Sequence, residues 1–128
     1  MKREEYNILG REILDASIHV HKEMGPGLLE SVYHQCLYNE LNSRDIICKS
    51  EVFLPLHYKG KKLGKSFKID ILVEGEIIIE LKAVEVLLPV HEAQIISYLK
   101  LANMKLGYLI NFNTPLLKDG FKRFVNNF

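Results

Sequence analysis

The segment Ile69-Asp70-Ile71-Leu72-Val73-Glu74-Gly75-Glu76-Ile77-Ile78-Ile79-Glu80-Leu81-Lys82 constrains this chain more than any other. Two apolar, largely β-branched runs flank an acidic turn centred on Gly75, the pattern of an antiparallel hairpin. Positions symmetric about Gly75 then lie opposite one another, so Asp70 faces Glu80 with Cβ atoms roughly 5 Å apart. Lys82, two residues beyond Glu80, falls on the same face. The other face reads Ile69, Ile71, Val73, Ile77, Ile79, Leu81 and Ala83 and must be buried. Leu72 and Ile78 make even the charged face apolar toward the turn, which predicts a helix over that side as well.

Opposed carboxylates repel, and taking either out of water costs several kcal/mol unless something offsets it. A divalent cation would offset both terms. Carboxylate oxygens suit Mg²⁺ or Mn²⁺, and Mg²⁺ keeps several waters, so two or three protein carboxylates suffice. Lys82 beside such an ion could orient a water or stabilise charge developing on a phosphate. The alternative is a cross-strand salt bridge in which Lys82 neutralises Glu80 at a solvated strand end, and the segment alone leaves the two readings about even. A register shifted by one residue would put the carboxylates on opposite faces and exclude the metal.

The rest of the chain supplies the frame. Tyr6, Leu9, Ile13, Ala16 and Val20 recur at helical steps and predict a helix from Glu4 to about Glu23, broken by Met24-Gly25-Pro26-Gly27. A second helix is expected from about Leu28 to Asn42, with Leu29, Val32, Cys36 and Leu37 inward and Leu41 near its end. Glu30 precedes Tyr33, Leu37 and Leu41 by helical steps, so its carboxylate flanks that face. Ile46–Tyr58, a turn at Lys59-Gly60-Lys61-Lys62, Ser66–Val73 and Ile77–Ala83 read as an antiparallel meander. Val90 to about Ala102 returns to helical period with a broad apolar surface, including Val90, Ala93, Ile95, Ile96, Leu99 and Leu101. Leu106–Asn111 is a fourth strand, parallel to the third because a helix connects them. The tail turns at Asn113-Thr114-Pro115 and ends in a short element containing Phe121, Phe124 and Val125. The expectation is an α/β chain, a mixed sheet in an α+β single domain spanning 1–128, in the order α-α-β-β-β-α-β.

Bulk properties exclude little more. The chain has 128 residues, 48% of them apolar, which suits one domain. With 17 Lys and Arg against 16 acids, net charge does not single out a nucleic-acid ligand. The start, MKREEYNILGREI, has no apolar leader core and no window approaches a membrane span, so a cytoplasmic protein without a membrane partner is expected. Two cysteines, Cys36 and Cys48, cannot build a disulfide framework or a four-thiolate site and are expected as reduced core residues.

Asp70 followed by Glu80-Leu81-Lys82 resembles the D…ExK signature of the PD-(D/E)xK nuclease superfamily, whose αβββαβ core matches the order above once an extra N-terminal helix is set aside. Gln94-Ile95-Ile96-Ser97-Tyr98 resembles the QxxxY element of its RecB-like branch. Gly27-Leu28-Leu29-Glu30-Ser31-Val32-Tyr33 resembles the GxxExxY signature of a small bacterial and archaeal family assigned there, as do "ELKAVEVLL" and "PVHEAQ". Each motif alone is weak; the match lies in their joint order on elements of the expected type. One departure is Phe67-Lys68-Ile69 before Asp70, where an aromatic-Arg-Ala pattern is usual; it keeps the positive charge.

The resemblance implies a Mg²⁺- or Mn²⁺-dependent nuclease hydrolysing phosphodiester bonds in DNA, without a base-reading module. Asp70, Glu80, the Leu81 carbonyl and Glu30 would be metal ligands, Lys82 the catalytic lysine, and Gln94 and Tyr98 would orient Lys82, a water or a phosphate. The alternative for Glu30 is a glutamate favoured by its helix N-terminus, with the resemblance favouring the active-site role, and for Gln94 and Tyr98 a plain buried polar pair. His91, one turn before Gln94, is a weaker candidate. Lys59, Lys61, Lys62, Lys65 and Lys68 place five positive charges in ten residues without an acid, suited to DNA phosphates, or to a solvated turn that keeps an edge from aggregating. Two alternatives stay open: a nucleic-acid-binding or protein-interaction module that keeps the fold, with a homodimer or protein partner, and a metal-dependent phosphoesterase acting on small nucleotides.

Overall fold

Glu74 and Gly75 both adopt left-handed backbone angles, φ 54° and 66°, and close the central hairpin where the sequence places its turn. The strands they join pair Val73 with Ile77, Leu72 with Ile78 and Ile71 with Ile79. The register is therefore the one that sets Asp70 toward Glu80. The computed structural model describes all residues, Met1–Phe128.

Around the hairpin the chain forms α1 (Arg3–Met24), α2 (Glu30–Ser43), β1 (Cys48–Tyr58), β2 (Lys61–Val73), β3 (Ile77–Lys82), α3 (Pro89–Ala102), β4 (Leu106–Asn111), a 3₁₀ turn (Leu117–Gly120) and β5 (Phe121–Val125). The strands lie in sequence order in one sheet, β1-β2-β3-β4-β5. Only β3 and β4 run parallel, joined through α3 as expected; the other neighbours are antiparallel. The α1 helix ends at Gly25, φ 72°, followed by Pro26. Pro89 opens α3 and Asn103, φ 52°, closes it in the left-handed conformation.

Each sheet face has its own core. Ile13, Ala16 and Val20 of α1 and Tyr33, Leu37 and Leu41 of α2 pack on Ile71, Val73, Ile77, Ile79, Leu81 and Tyr108. Tyr33 stacks on Phe112 with centroids 4.7 Å apart and planes within 6°, a contact worth about 0.5–1.5 kcal/mol beyond its burial. Ile95 and Leu99 of α3 pack on Leu72, Ile78 and Leu109 from the other side.

Several expectations are corrected. The β1–β2 turn is only Lys59-Gly60, both with positive φ, and Lys61 already pairs with Tyr58; the two-residue turn lets β2 begin five residues earlier than the lysine-rich composition suggests. Leu29 lies outside α2 and is 73% exposed, so the buried stripe is Tyr33, Leu37 and Leu41. Only Ile95 and Leu99 of α3 are buried, leaving Val90, Ala93, Ile96 and Leu101 exposed. The tail element is a fifth strand on β4. Ile69 does not share a core with Ile71. It packs with Phe67 under α3, because the strand changes sides at Asp70. On β1, Cys48 belongs to the first core while Val52 borders the second, and Glu51 between them sits at φ 54°. The pairing skips Glu51 and Asp70 while keeping register on either side.

Candidate active site

The break at Asp70 frees its carboxylate from the sheet. The last β2–β3 pair is Ile71 with Ile79, and one step beyond it Asp70 Oδ2 accepts the Leu81 backbone N–H at 2.9 Å. In a strand the N–H and C=O of one residue point the same way, so the Leu81 carbonyl faces this gap too. Glu80, the residue between Ile79 and Leu81, is 5% exposed. Its Oε1 has no hydrogen-bond partner, which is costly for a buried polar atom.

Burial, then the neighbouring Asp70 carboxylate, push the Glu80 carboxyl up to about 10, with Lys82 pulling the other way. A buried acid beside a second acid keeps its proton unless a cation replaces it. Tyr98, one helix over, has its hydroxyl pKa raised by burial and then by Glu80 and Asp70, so it lies within the field of both carboxylates. Its ring rests on Phe67 with centroids 4.6 Å apart. The structure thus brings Asp70, Glu80, Lys82, the Leu81 backbone and Tyr98 together.

Other candidates fall elsewhere. No third Asp, Glu, His or Cys converges with the two carboxylates, so Glu30 is not among them. It is exposed as the first residue of α2, at the end of the helix that Tyr33 anchors on Phe112. Gln94 is exposed in α3, and its position one turn before Tyr98 is all that relates it to the site. His91 accepts the Leu88 N–H through Nδ1 at 3.0 Å, work that belongs to the start of α3. Lys59, Lys61, Lys62, Lys65 and Lys68 line the β1–β2 hairpin, exposed, and only Lys68 has an acidic neighbour, Glu51 at 3.8 Å.

Asn111 was not anticipated. It pairs with Lys82 across β3 and β4 and is 2% exposed. Its Oδ1 accepts the N–H groups of Val84 and Asn113, and its Nδ2 donates to the Val84 carbonyl. The amide thereby holds the chain just after Lys82. The only sequence signal was an Asn closing the apolar run Leu106–Ile110, a pattern equally typical of a turn.

The donor set tests well against a hard divalent ion: two carboxylates, one with an orphaned buried oxygen, and a carbonyl turned toward the same gap. No helix is long and apolar enough to cross a membrane. The family model described as the PD-(D/E)XK nuclease superfamily matches residues 7–124. Searches of curated proteins and of solved structures gave no significant match.

Proposed function

From this chain's membership of the PD-(D/E)XK nuclease superfamily, whose members are usually hydrolytic nucleases that use divalent metal ions, we propose that it is a Mg²⁺- or Mn²⁺-dependent nuclease cutting phosphodiester bonds in DNA without sequence preference. The observation that carries this reading is the orphaned Glu80 oxygen beside Asp70, a buried acidic pair that a salt bridge alone leaves unsatisfied. The finer placement, in the GxxExxY family of the RecB-like branch, is supported by Gly27, Glu30 and Tyr33 and by Gln94 and Tyr98.

Asp70, Glu80 and the Leu81 carbonyl would hold the ion, and Glu30 is proposed as a further ligand from its place in the GxxExxY pattern alone. A bound divalent cation supplies a water of lowered pKa and charge neutralisation at phosphate. Lys82 places an ammonium next to Glu80, where it stabilises negative charge growing on the scissile phosphate. Asn111 keeps that lysine's strand end in place. Tyr98 offers a hydroxyl to the same space, and Gln94, on the solvent side, a contact to the phosphate chain. Lys59, Lys61, Lys62, Lys65 and Lys68 attract the nucleic-acid backbone.

The experiment is cleavage of labelled single-stranded DNA, duplex DNA and RNA with Mg²⁺ or Mn²⁺. We expect cutting that EDTA abolishes and that Lys82→Ala slows at least about 100-fold while Mn²⁺ binding, measured by calorimetry, persists. Full activity in Lys82→Ala would sink the assignment. The second reading, a binding module that keeps the fold, draws on one observation: only two acids converge. Mn²⁺ binding without cleavage of any polymer would select it.

A further inference from the structure

The β1–β2 hairpin outruns the rest of the sheet. Past the break at Asp70 it continues as a two-stranded arm to the Tyr58↔Lys61 pair, with no third strand beside it. From Val52 to Ile69 the eighteen residues include five lysines, one histidine and no acid. Val52, Leu54 and Leu56 rest against the core under α3, so strand alternation turns Phe53, Pro55 and His57 outward. All three are exposed. The register sets Lys68 opposite Phe53 and Ser66 opposite Pro55, and beyond a register shift Lys62 opposite His57; alternation along β1 keeps Phe53, Pro55 and His57 and the partners they face on one open side.

Phe53 is 63% exposed and contributes little to the core. Lysines and Pro55 on an edge strand are explained by protection against strand pairing, but a bare phenyl ring works against that purpose. A ring framed by cations matches one ligand class: an unpaired nucleic-acid strand, whose bases present π-faces and whose backbone presents phosphates. A duplex hides those faces. Lys68 lies two residues from Asp70, about 7 Å along the strand.

We propose that this face of the arm is a single-strand track, on which Phe53 stacks a base and Lys68 and Lys62 hold the flanking phosphates of DNA or RNA. The proposal rests on the nuclease reading for its purpose but not for its test. Glu51, 3.8 Å from Lys68, is the acid at the foot of the track and competes with phosphate for that lysine.

The test is fluorescence anisotropy in EDTA with labelled oligo(dT), oligo(U) and a DNA duplex of equal length. Either single strand should bind at least tenfold tighter than the duplex. Phe53→Ala should weaken single-strand binding about tenfold, Phe53→Trp should restore it, and Glu51→Gln should strengthen it. Lys62→Ala and Lys68→Ala should each lower the slope of log affinity against log salt by about 0.7. Equal affinity for single strand and duplex, or unchanged affinity in Phe53→Ala, overturns the track. Phe53-dependent binding without metal-dependent cleavage would keep the track and remove the nuclease reading, and cleavage with Phe53-independent binding would do the reverse.

Discussion

The Asp70 carboxylate accepts the Leu81 N–H at 2.9 Å, where the ladder between β2 and β3 has already stopped. A side chain stands in for a strand at the place where two strands part. The same group that would hold a metal therefore also holds the hairpin together.

That double role separates two substitutions. Asp70→Asn keeps a carbonyl oxygen for the Leu81 N–H and should unfold within about 2 °C of the wild type, yet lack cleavage. Asp70→Ala leaves the N–H without its partner, costs about 1.5–3 kcal/mol and should lower Tm by about 5 °C or more. Thermal unfolding beside a nuclease assay checks both; equal Tm values for the two variants would deny the carboxylate its structural part.

Glu80 makes stability depend on pH with a definite sign. Its folded pKa is raised from 4.5 to about 10, so between those values the folded chain keeps a proton that the unfolded chain has released. Stability in EDTA should then fall as pH rises across that window, and Glu80→Gln should remove the slope and raise Tm by about 5 °C at pH 8. Metal must displace the proton, so Mn²⁺ should bind up to about tenfold more tightly per pH unit. Thermal scans and calorimetry from pH 5 to 9 measure the two effects; a flat wild-type profile would contradict the burial argument.

Tyr98 combines a ring on Phe67 with a hydroxyl near the carboxylates. Tyr98→Phe should keep Tm and reduce kcat about tenfold, whereas Tyr98→Ala should also lose about 2–3 kcal/mol of packing. Denaturant unfolding separates them, and unaltered kcat in Tyr98→Phe would reduce the residue to a core contact.

Gly120 tests the attachment of the tail. A Cβ there would run into the Asn111 carbonyl, a backbone atom that cannot rotate away, so Gly120→Ala should destabilise by about 2 kcal/mol or more. Activity should fall only near the new Tm; chemical denaturation with assays at two temperatures shows whether that holds.

Local chemistry made the hairpin legible. Glu74 and Gly75 carry the left-handed angles of its turn, and a turn sets register for its strands, so Asp70, Glu80 and Lys82 could be placed before any long-range contact was known. The helical stripes of α1 and the parallel crossover through α3 were readable for the same reason, as periodicity within one segment reports the side that will be covered. Glu30 was not resolved by such reasoning, because its distance from Asp70 depends on how α2 lies on the sheet. Asn111 was hidden because an Asn at the end of a strand has the same sequence signature whether it faces water or locks a neighbouring chain.

Sequence alone determined which residues are opposite one another in the hairpin, the order of elements and the family they belong to, all consequences of spacing along one chain. Only the tertiary structure decided that β2 changes sides at Asp70, that Ile69 and Ile71 serve different cores, and that Glu80 ends up buried with an unpaired oxygen. Those outcomes accompany the irregularity at Glu51 on the neighbouring strand and α3 packing overhead, and burial by distant segments is what makes a charged strand end a candidate site.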